Sequence, residues 1–76
     1  MSLPVVSGRR VIRALAKIGF EIVGRKESHI RMKKKDGITS IVIIPDHMEL
    51  ARGTLGSIMR QANLSREEFL EILEKK

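Results

Sequence analysis

The sequence predicts an α+β domain in which a three-stranded antiparallel sheet packs on helices, with the elements in the order α-β-β-β-α-α. Three features predict this architecture: a helical repeat of apolar residues near the N-terminus, an Asp-Gly turn between two alternating segments, and a capping motif before a later helical repeat. The 76 residues make one domain, 1–76, near the lower size limit for a single hydrophobic core.

The first helix is predicted from Gly8 to about Ile18. Ser7 is a suitable N-cap, and Gly19 is placed to end the helix. Apolar residues recur at helical spacing at Val11, Ile12, Leu15 and Ile18. A short first strand is then predicted from Phe20 to Arg25.

Asp36-Gly37 predicts the tight turn of a hairpin between the second and third strands. With these two residues as the turn, four cross-strand pairs follow: Met32 with Ile41, Ile30 with Ile43, His29 with Ile44, and Arg31 with Val42. This register puts Ile41 and Ile43 on the buried face. It leaves Val42 and Ile44 on the open face, where exposed apolar groups beside a basic surface often mark an interface with a partner.

The C-terminal part of the chain predicts two helices after Pro45 closes the third strand. Thr54 is predicted as the cap of the first of them, and Asn63 can end it in the left-handed conformation. Ser65 and Glu68 form a capping box that predicts the start of the last helix.

The second strand carries the most informative alternation. Side chains on a strand point to opposite faces with a period of two, so Ile30 and Met32 go to one face. His29, Arg31 and Lys33 then share the other face. This face combines a group that moves protons near neutral pH with two fixed cations, which is a combination that RNA cleavage needs.

Positive charge is concentrated around that strand. The chain has a formal net charge of +6, and six of its cations lie within residues 25–35, opposed there only by Glu27. Such a cluster indicates a nucleic-acid partner or a solvated hairpin tip, and the charge alone leaves both open. A protein-interaction domain with an acidic partner is a further alternative. Phe20 and Phe69 fit core positions, and no Tyr or Trp is present to stack on bases, so RNA binding is expected to use phosphate and sugar contacts.

Several classes of site are not expected. The chain has no cysteine, which excludes disulfides and thiolate zinc sites and fits a reducing cytoplasm. His29 and His47 fall in different elements, so we expect no metal, and no motif predicts a cofactor. No apolar run approaches the roughly 20 residues of a membrane span. The N-terminal residues show no signal-peptide pattern, so we expect a cytoplasmic protein without membrane contact.

A set of motifs, in order and covering nearly the whole chain, resembles one known family. The motifs are Gly8 with the first helix, Gly19-Phe20, Ser28-His29, Asp36-Gly37, Ile44-Pro45-Asp46-His47, Glu49-Leu50, Gly53-Thr54-Leu55, Ile58-Met59-Arg60-Gln61-Ala62, and Ser65 to Phe69. The chain resembles the HicA-type mRNA interferase toxins. The resemblance implies a double-stranded-RNA-binding-domain-like fold, an endoribonuclease that cuts mRNA, and a HicB-type antitoxin protein that covers the active site.

The resemblance also assigns candidate residues. The family's catalytic histidine lies in a Gly-Ser/Thr-His motif, which maps onto Glu27-Ser28-His29 and makes His29 the candidate catalytic residue. Glu27 replaces the family's glycine, and its carboxylate is expected either to repel a phosphate or to pair with a nearby lysine. The candidate RNA-binding residues are Arg25, Lys26, Ser28, Arg31, Lys33, Lys34 and Lys35.

His29 is expected to act as base or acid while Arg31 and Lys33 offset the charge that builds on the phosphate. The alternative is a non-catalytic RNA-binding module of the same fold, in which His29 is only an exposed strand residue. His47 and Thr54 are secondary candidates, for proton transfer or RNA contact and for anion binding at a helix start. A locally satisfied loop histidine is the favoured interpretation of His47, and simple helix capping explains Thr54 as well as anion binding does.

Overall fold

Residues 5–74 are described by the computed structural model, and their elements follow the order α-β-β-β-α-α that the sequence predicts. The elements are α1 (Gly8–Lys17), β1 (Glu21–Lys26), β2 (His29–Asp36), β3 (Ile38–Pro45), α2 (Arg52–Ala62) and α3 (Arg66–Glu74). The three strands form one antiparallel sheet in the order β1-β2-β3, so β2 is central. The α+β prediction is confirmed.

The core lies between one face of the sheet and the helices. Its largest fully buried side chains come from α1, β2, β3, α2 and α3: Val11, Leu15, Ile30, Met32, Val42, Ile44, Leu55, Ile58 and Phe69. Full burial of an aliphatic or aromatic side chain is worth roughly 1.5–3 kcal/mol, so this cluster supplies the main stabilising contribution. Within residues 5–74, no helix packs on the opposite face of the sheet, and this face is open to solvent.

Most helix ends follow the predicted local chemistry. The Ser7 hydroxyl accepts from the Arg10 backbone N–H at 3.2 Å, and Asn63 ends α2 with φ 59°. The capping box is complete, because the Ser65 N–H donates to Glu68 Oε1 at 2.8 Å and the Glu68 N–H donates to Ser65 Oγ at 3.1 Å. These predictions needed only residues within four positions of one another.

The predicted cap at Thr54 is wrong. The helix α2 begins at Arg52, and its cap position is Ala51, three residues before Thr54, without a side-chain hydrogen bond. The Leu55 N–H donates to the Ala51 carbonyl at 3.0 Å, so Thr54 already lies within the first turn. Arg52 and Gly53 adopt the helical conformation although neither is a strong start signal.

The predicted register of the β2–β3 hairpin is also wrong, by one residue. The observed pairs are His29 with Pro45, Ile30 with Ile44, Arg31 with Ile43, and Met32 with Val42. The ladder continues to the pair Asp36 with Ile38, so only Gly37, with φ 79°, remains at the tip. A two-residue Asp-Gly turn is therefore not formed.

This one-residue shift turns β3 over, because its side chains alternate between faces. Val42 and Ile44 are buried, whereas Ile41 and Ile43 are 49% and 38% exposed on the open face. The prediction of an interface at Val42 and Ile44 is corrected accordingly. Residues 41–44 are all branched and apolar, so their pattern fits either register. The conformation of the turn therefore determines which register forms.

Candidate nucleic-acid interface

His29 is presented by the turn between β1 and β2. Glu27 and Ser28 form this turn, and Lys26 pairs with His29 across it. His29 is the first residue of β2, and its side chain is exposed, as are those of Arg31 and Lys33. Ile30 and Met32 are buried, so the predicted division of β2 between two faces is confirmed.

A cleft of about 300 Å³ lies beside the turn, on the open face of the sheet. It is lined by Gly24, Arg25, Lys26, Glu27, His29, Arg31 and Ile43. Four of the predicted site residues therefore meet in one place: one histidine with three cations. Gly24, Glu27 and Ile43 also line the cleft, and the sequence did not predict them as lining residues.

Gly24 provides the room that Arg31 occupies. The two residues are cross-strand partners, and a Cβ at Gly24 would lie 3.3 Å from Arg31 Nη2. The register of β1 shifts between Ile22 and Gly24, which marks a β-bulge. Bulges commonly redirect side chains at the edges of sheets.

Glu27 has a backbone conformation that glycine favours. Its φ is 56°, and the only other non-glycine residue with positive φ in the described range is Asn63 at a helix end. Since Ser28 has no positive φ, the turn needs this conformation at its first central position alone, where hairpin turns of this kind prefer glycine. The left-handed region costs an ordinary L-residue roughly 1–2 kcal/mol.

This conformation gives a physical reason for the glycine of the Gly-Ser/Thr-His motif. The chain keeps the turn although Glu27 replaces that glycine. Within residues 5–74 the Glu27 carboxylate makes no ion pair, so the expected pairing with a lysine is not observed. Glu27 nevertheless lines the cleft, as do Lys26 and Arg31.

Asp46 connects the end of β3 to this turn. Its backbone N–H donates to the Ser28 carbonyl at 2.6 Å. Its carboxylate lies 3.4 Å from Arg25 Nη1 and 3.5 Å from Arg9 Nε, and its side chain is only 18% exposed. Asp46 therefore contacts β1, the turn and α1 at once.

The other predicted residues lie outside the cleft. Lys33 and Lys35 are exposed further along β2, whereas Lys34 is half-buried with its Nζ 5.8 Å from the centroid of the Phe20 ring. Ser28 is exposed in the turn and gives its carbonyl to Asp46. The structure leaves the roles of these four residues as predictions.

The two secondary candidates are not among the residues that line the cleft. His47 is exposed, and its carbonyl accepts from the Gly8 N–H at 2.8 Å. Thr54 lies in the first turn of α2. Neither residue lines the cleft.

Among residues 5–74, no group of three or more histidine, aspartate or glutamate side chains could hold a metal ion. No helix in the same part of the chain is long and apolar enough to cross a membrane.

A comparison with known protein families identifies the family to which the chain belongs. Residues 8–64 match the family described as HicA toxin of bacterial toxin-antitoxin systems. The chain belongs to the HicA toxin family. The match includes the whole sheet, the cleft residues and Asp46, so the toxin role applies to the part of the chain that carries the site.

The last helix of this HicA toxin lies beyond the matched residues. It nevertheless contributes Phe69, Ile72 and Leu73 to the core. No curated protein sequence matches the chain.

Proposed function

We propose that this HicA toxin is an endoribonuclease that cleaves mRNA through His29, with no metal ion. The observation that carries the proposal is the cleft in which His29 meets Arg25, Lys26 and Arg31. A proton carrier beside cations that hold a phosphate is the arrangement that RNA cleavage by transesterification uses. The toxin role of the family supports the same conclusion.

The reaction uses the ribose 2′-hydroxyl as the nucleophile. The 2′-oxygen bonds to the adjacent phosphorus, the bond from phosphorus to the 5′-oxygen breaks, and one proton passes from the 2′-oxygen to the departing 5′-oxygen. Acting as base, His29 accepts the proton of the 2′-hydroxyl while solvent protonates the 5′-oxygen. Acting as acid, it protonates the 5′-oxygen while solvent accepts the proton of the 2′-hydroxyl. A positioned acid or base is typically worth about 10²–10⁴ in rate. Arg31 in the cleft and Lys33 further along the same face of β2 stabilise charge on the phosphate.

RNA is bound through its backbone along the open face. Lys33 and Lys35 continue the positive charge beyond the cleft on this face, and Lys26 and Ser28 lie at the turn beside it. Lys34, whose side chain lies over Phe20 on the other face of β2, is the remaining proposed contact. Lys33→Ala removes one phosphate contact and is expected to reduce the slope of log affinity against log salt by about 0.7–0.9. Lys17→Ala on α1 removes the same charge away from this face and is expected to leave the slope unchanged. Equal slopes in both variants would contradict the proposed surface.

The protein partner is a HicB-type antitoxin, and it covers the open face. Ile41 and Ile43 are exposed there beside the cations, and Ile43 lines the cleft itself. A partner that buries these two side chains also closes access to His29. The toxin acts in the cytoplasm, where mRNA and the antitoxin are made.

Purified protein tests the proposal, with two histidine variants as a matched pair. His29→Ala is expected to abolish cleavage of mRNA, whereas His47→Ala is expected to retain it, because only His29 lines the cleft. Both variants are expected to fold, since both side chains are exposed. Cleavage by His29→Ala at the parent rate would refute the assignment. RNA binding without cleavage by the parent protein would instead favour the non-catalytic RNA-binding module.

A further inference from the structure

Asp46 contacts the turn before His29 on both sides of Glu27, the turn residue with positive φ. Its backbone N–H donates to the carbonyl of Ser28, which follows Glu27. Its carboxylate pairs with Arg25, which precedes Glu27 by two positions. His29 comes directly after Ser28, so these contacts hold the backbone segment that enters the catalytic strand.

The strain at Glu27 makes such support necessary. A non-glycine residue with φ 56° keeps that conformation only when the surrounding structure holds it in place. The ladder pair of Lys26 with His29 fixes the two ends of the turn. Asp46 adds contacts from a different element, and these contacts do not depend on the hairpin itself.

Asp46 is itself firmly held. The Gly8 N–H at the start of α1 donates to the His47 carbonyl at 2.8 Å. A Cβ at Gly8 would overlap the carbonyl oxygen of Pro45, so the helix start packs directly against residues 45–47. The segment that carries Asp46 is therefore confined between α1 and the turn.

We propose that Asp46 is a positioning residue that clamps the Glu27-Ser28 turn and so holds His29 and Arg25 in place at the cleft. Its role in cleavage rests on the function proposed above. Arginine has five N–H donors, and the ion pair with Asp46 occupies one end of the Arg25 guanidinium. Arg25 also lines the cleft beside His29, so the ion pair fixes one of the cleft residues directly.

The test measures backbone order at residues 27–29 and cleavage in the same variants. Asp46→Ala removes both carboxylate contacts and keeps the backbone N–H bond to Ser28, so it is expected to lower the amide order parameters there below the rigid value of about 0.85 and to reduce kcat at least about tenfold. Glu27→Gly in the Asp46→Ala background is expected to restore both, because glycine adopts the turn without support. Arg9→Ala is the control, since it removes only the α1 contact of Asp46 and is expected to change neither.

Gly53→Ala in the Asp46→Ala background controls for general stability, because it stabilises α2 away from the turn and is expected to restore neither the order nor the cleavage. Rescue by Glu27→Gly but not by Gly53→Ala separates positioning from a general loss of stability. Unchanged order in Asp46→Ala, or no rescue by Glu27→Gly, overturns the clamp whether or not RNA is cut. Disorder in Asp46→Ala combined with a parent protein that cuts no RNA supports the clamp and overturns the proposed function. Asp46→Asn keeps the side chain's size, removes its charge and gives the same measurement if Asp46→Ala does not fold.

Discussion

Glu27→Gly is the substitution whose effect on stability follows most directly from the backbone. Glu27 has φ 56° in a turn that prefers glycine at this position, and the strain costs roughly 1–2 kcal/mol. Glycine removes this strain but loses more conformational freedom on folding, which costs about 0.5–1 kcal/mol. The carboxylate makes no ion pair among the described residues, so its removal adds little. The variant is therefore expected to be more stable than the parent by about 0.5–1 kcal/mol.

Thermal and urea unfolding followed by circular dichroism measures this difference. For a domain of this size, 1 kcal/mol shifts Tm by about 4–8 °C, so Glu27→Gly is expected to raise Tm by about 3–6 °C. Ser28→Gly is the matched control, because Ser28 has no positive φ and the substitution therefore adds only the entropic cost of glycine without relieving strain. It is expected to lower Tm by a similar amount. A lower Tm for Glu27→Gly than for the parent would refute the argument that the turn is strained.

Two further predictions concern stability away from the cleft. Gly8→Ala places a Cβ against the carbonyl oxygen of Pro45 and is expected to destabilise the fold by about 1–3 kcal/mol. The new Cβ of Gly53→Ala meets no atom within 4 Å, so this variant is expected to stabilise α2 by about 0.5–1 kcal/mol. Equal urea midpoints for these two variants would contradict the packing at Gly8. Hydrogen bonds from the Ser65 backbone N–H and, secondly, with the Ser65 hydroxyl lower the pKa of Glu68 below its usual value. The charged capping box therefore stabilises the fold at pH values above the usual carboxyl pKa, and this stabilisation is lost as the pH falls through the lowered pKa. Glu68→Ala is thus expected to lower the urea midpoint at neutral pH but not in strong acid, and an equal loss at both pH values would contradict the linkage.

The parts of the fold that were predictable depend on neighbours in sequence. The Ser65 capping box, the left-handed Asn63 and the alternation of Ile30 and Met32 each follow from a few adjacent residues. The β2–β3 register did not follow, because residues 41–44 are apolar on both faces. The structure settles the register at the hairpin tip, where Gly37 alone stands outside the ladder.

In the candidate site, too, the features set by neighbours in sequence were predictable and the contacts between distant residues were not. Alternation along β2 was sufficient to place His29 and Arg31 on one face, and the cleft contains both. The contacts of Asp46 join three elements, and no local pattern predicts them. The strained φ of Glu27 had one signal in the sequence, which was the glycine of the family motif at that position.

Induced expression in a bacterial host, with the parent protein beside His29→Ala, tests the central claim most directly. Growth and total mRNA integrity are followed in both cultures after soluble protein is verified. The account predicts growth arrest with mRNA decay in the parent culture only. Normal growth with intact mRNA in both cultures, or arrest and decay in both, would contradict the conclusion that this HicA toxin cleaves mRNA through His29.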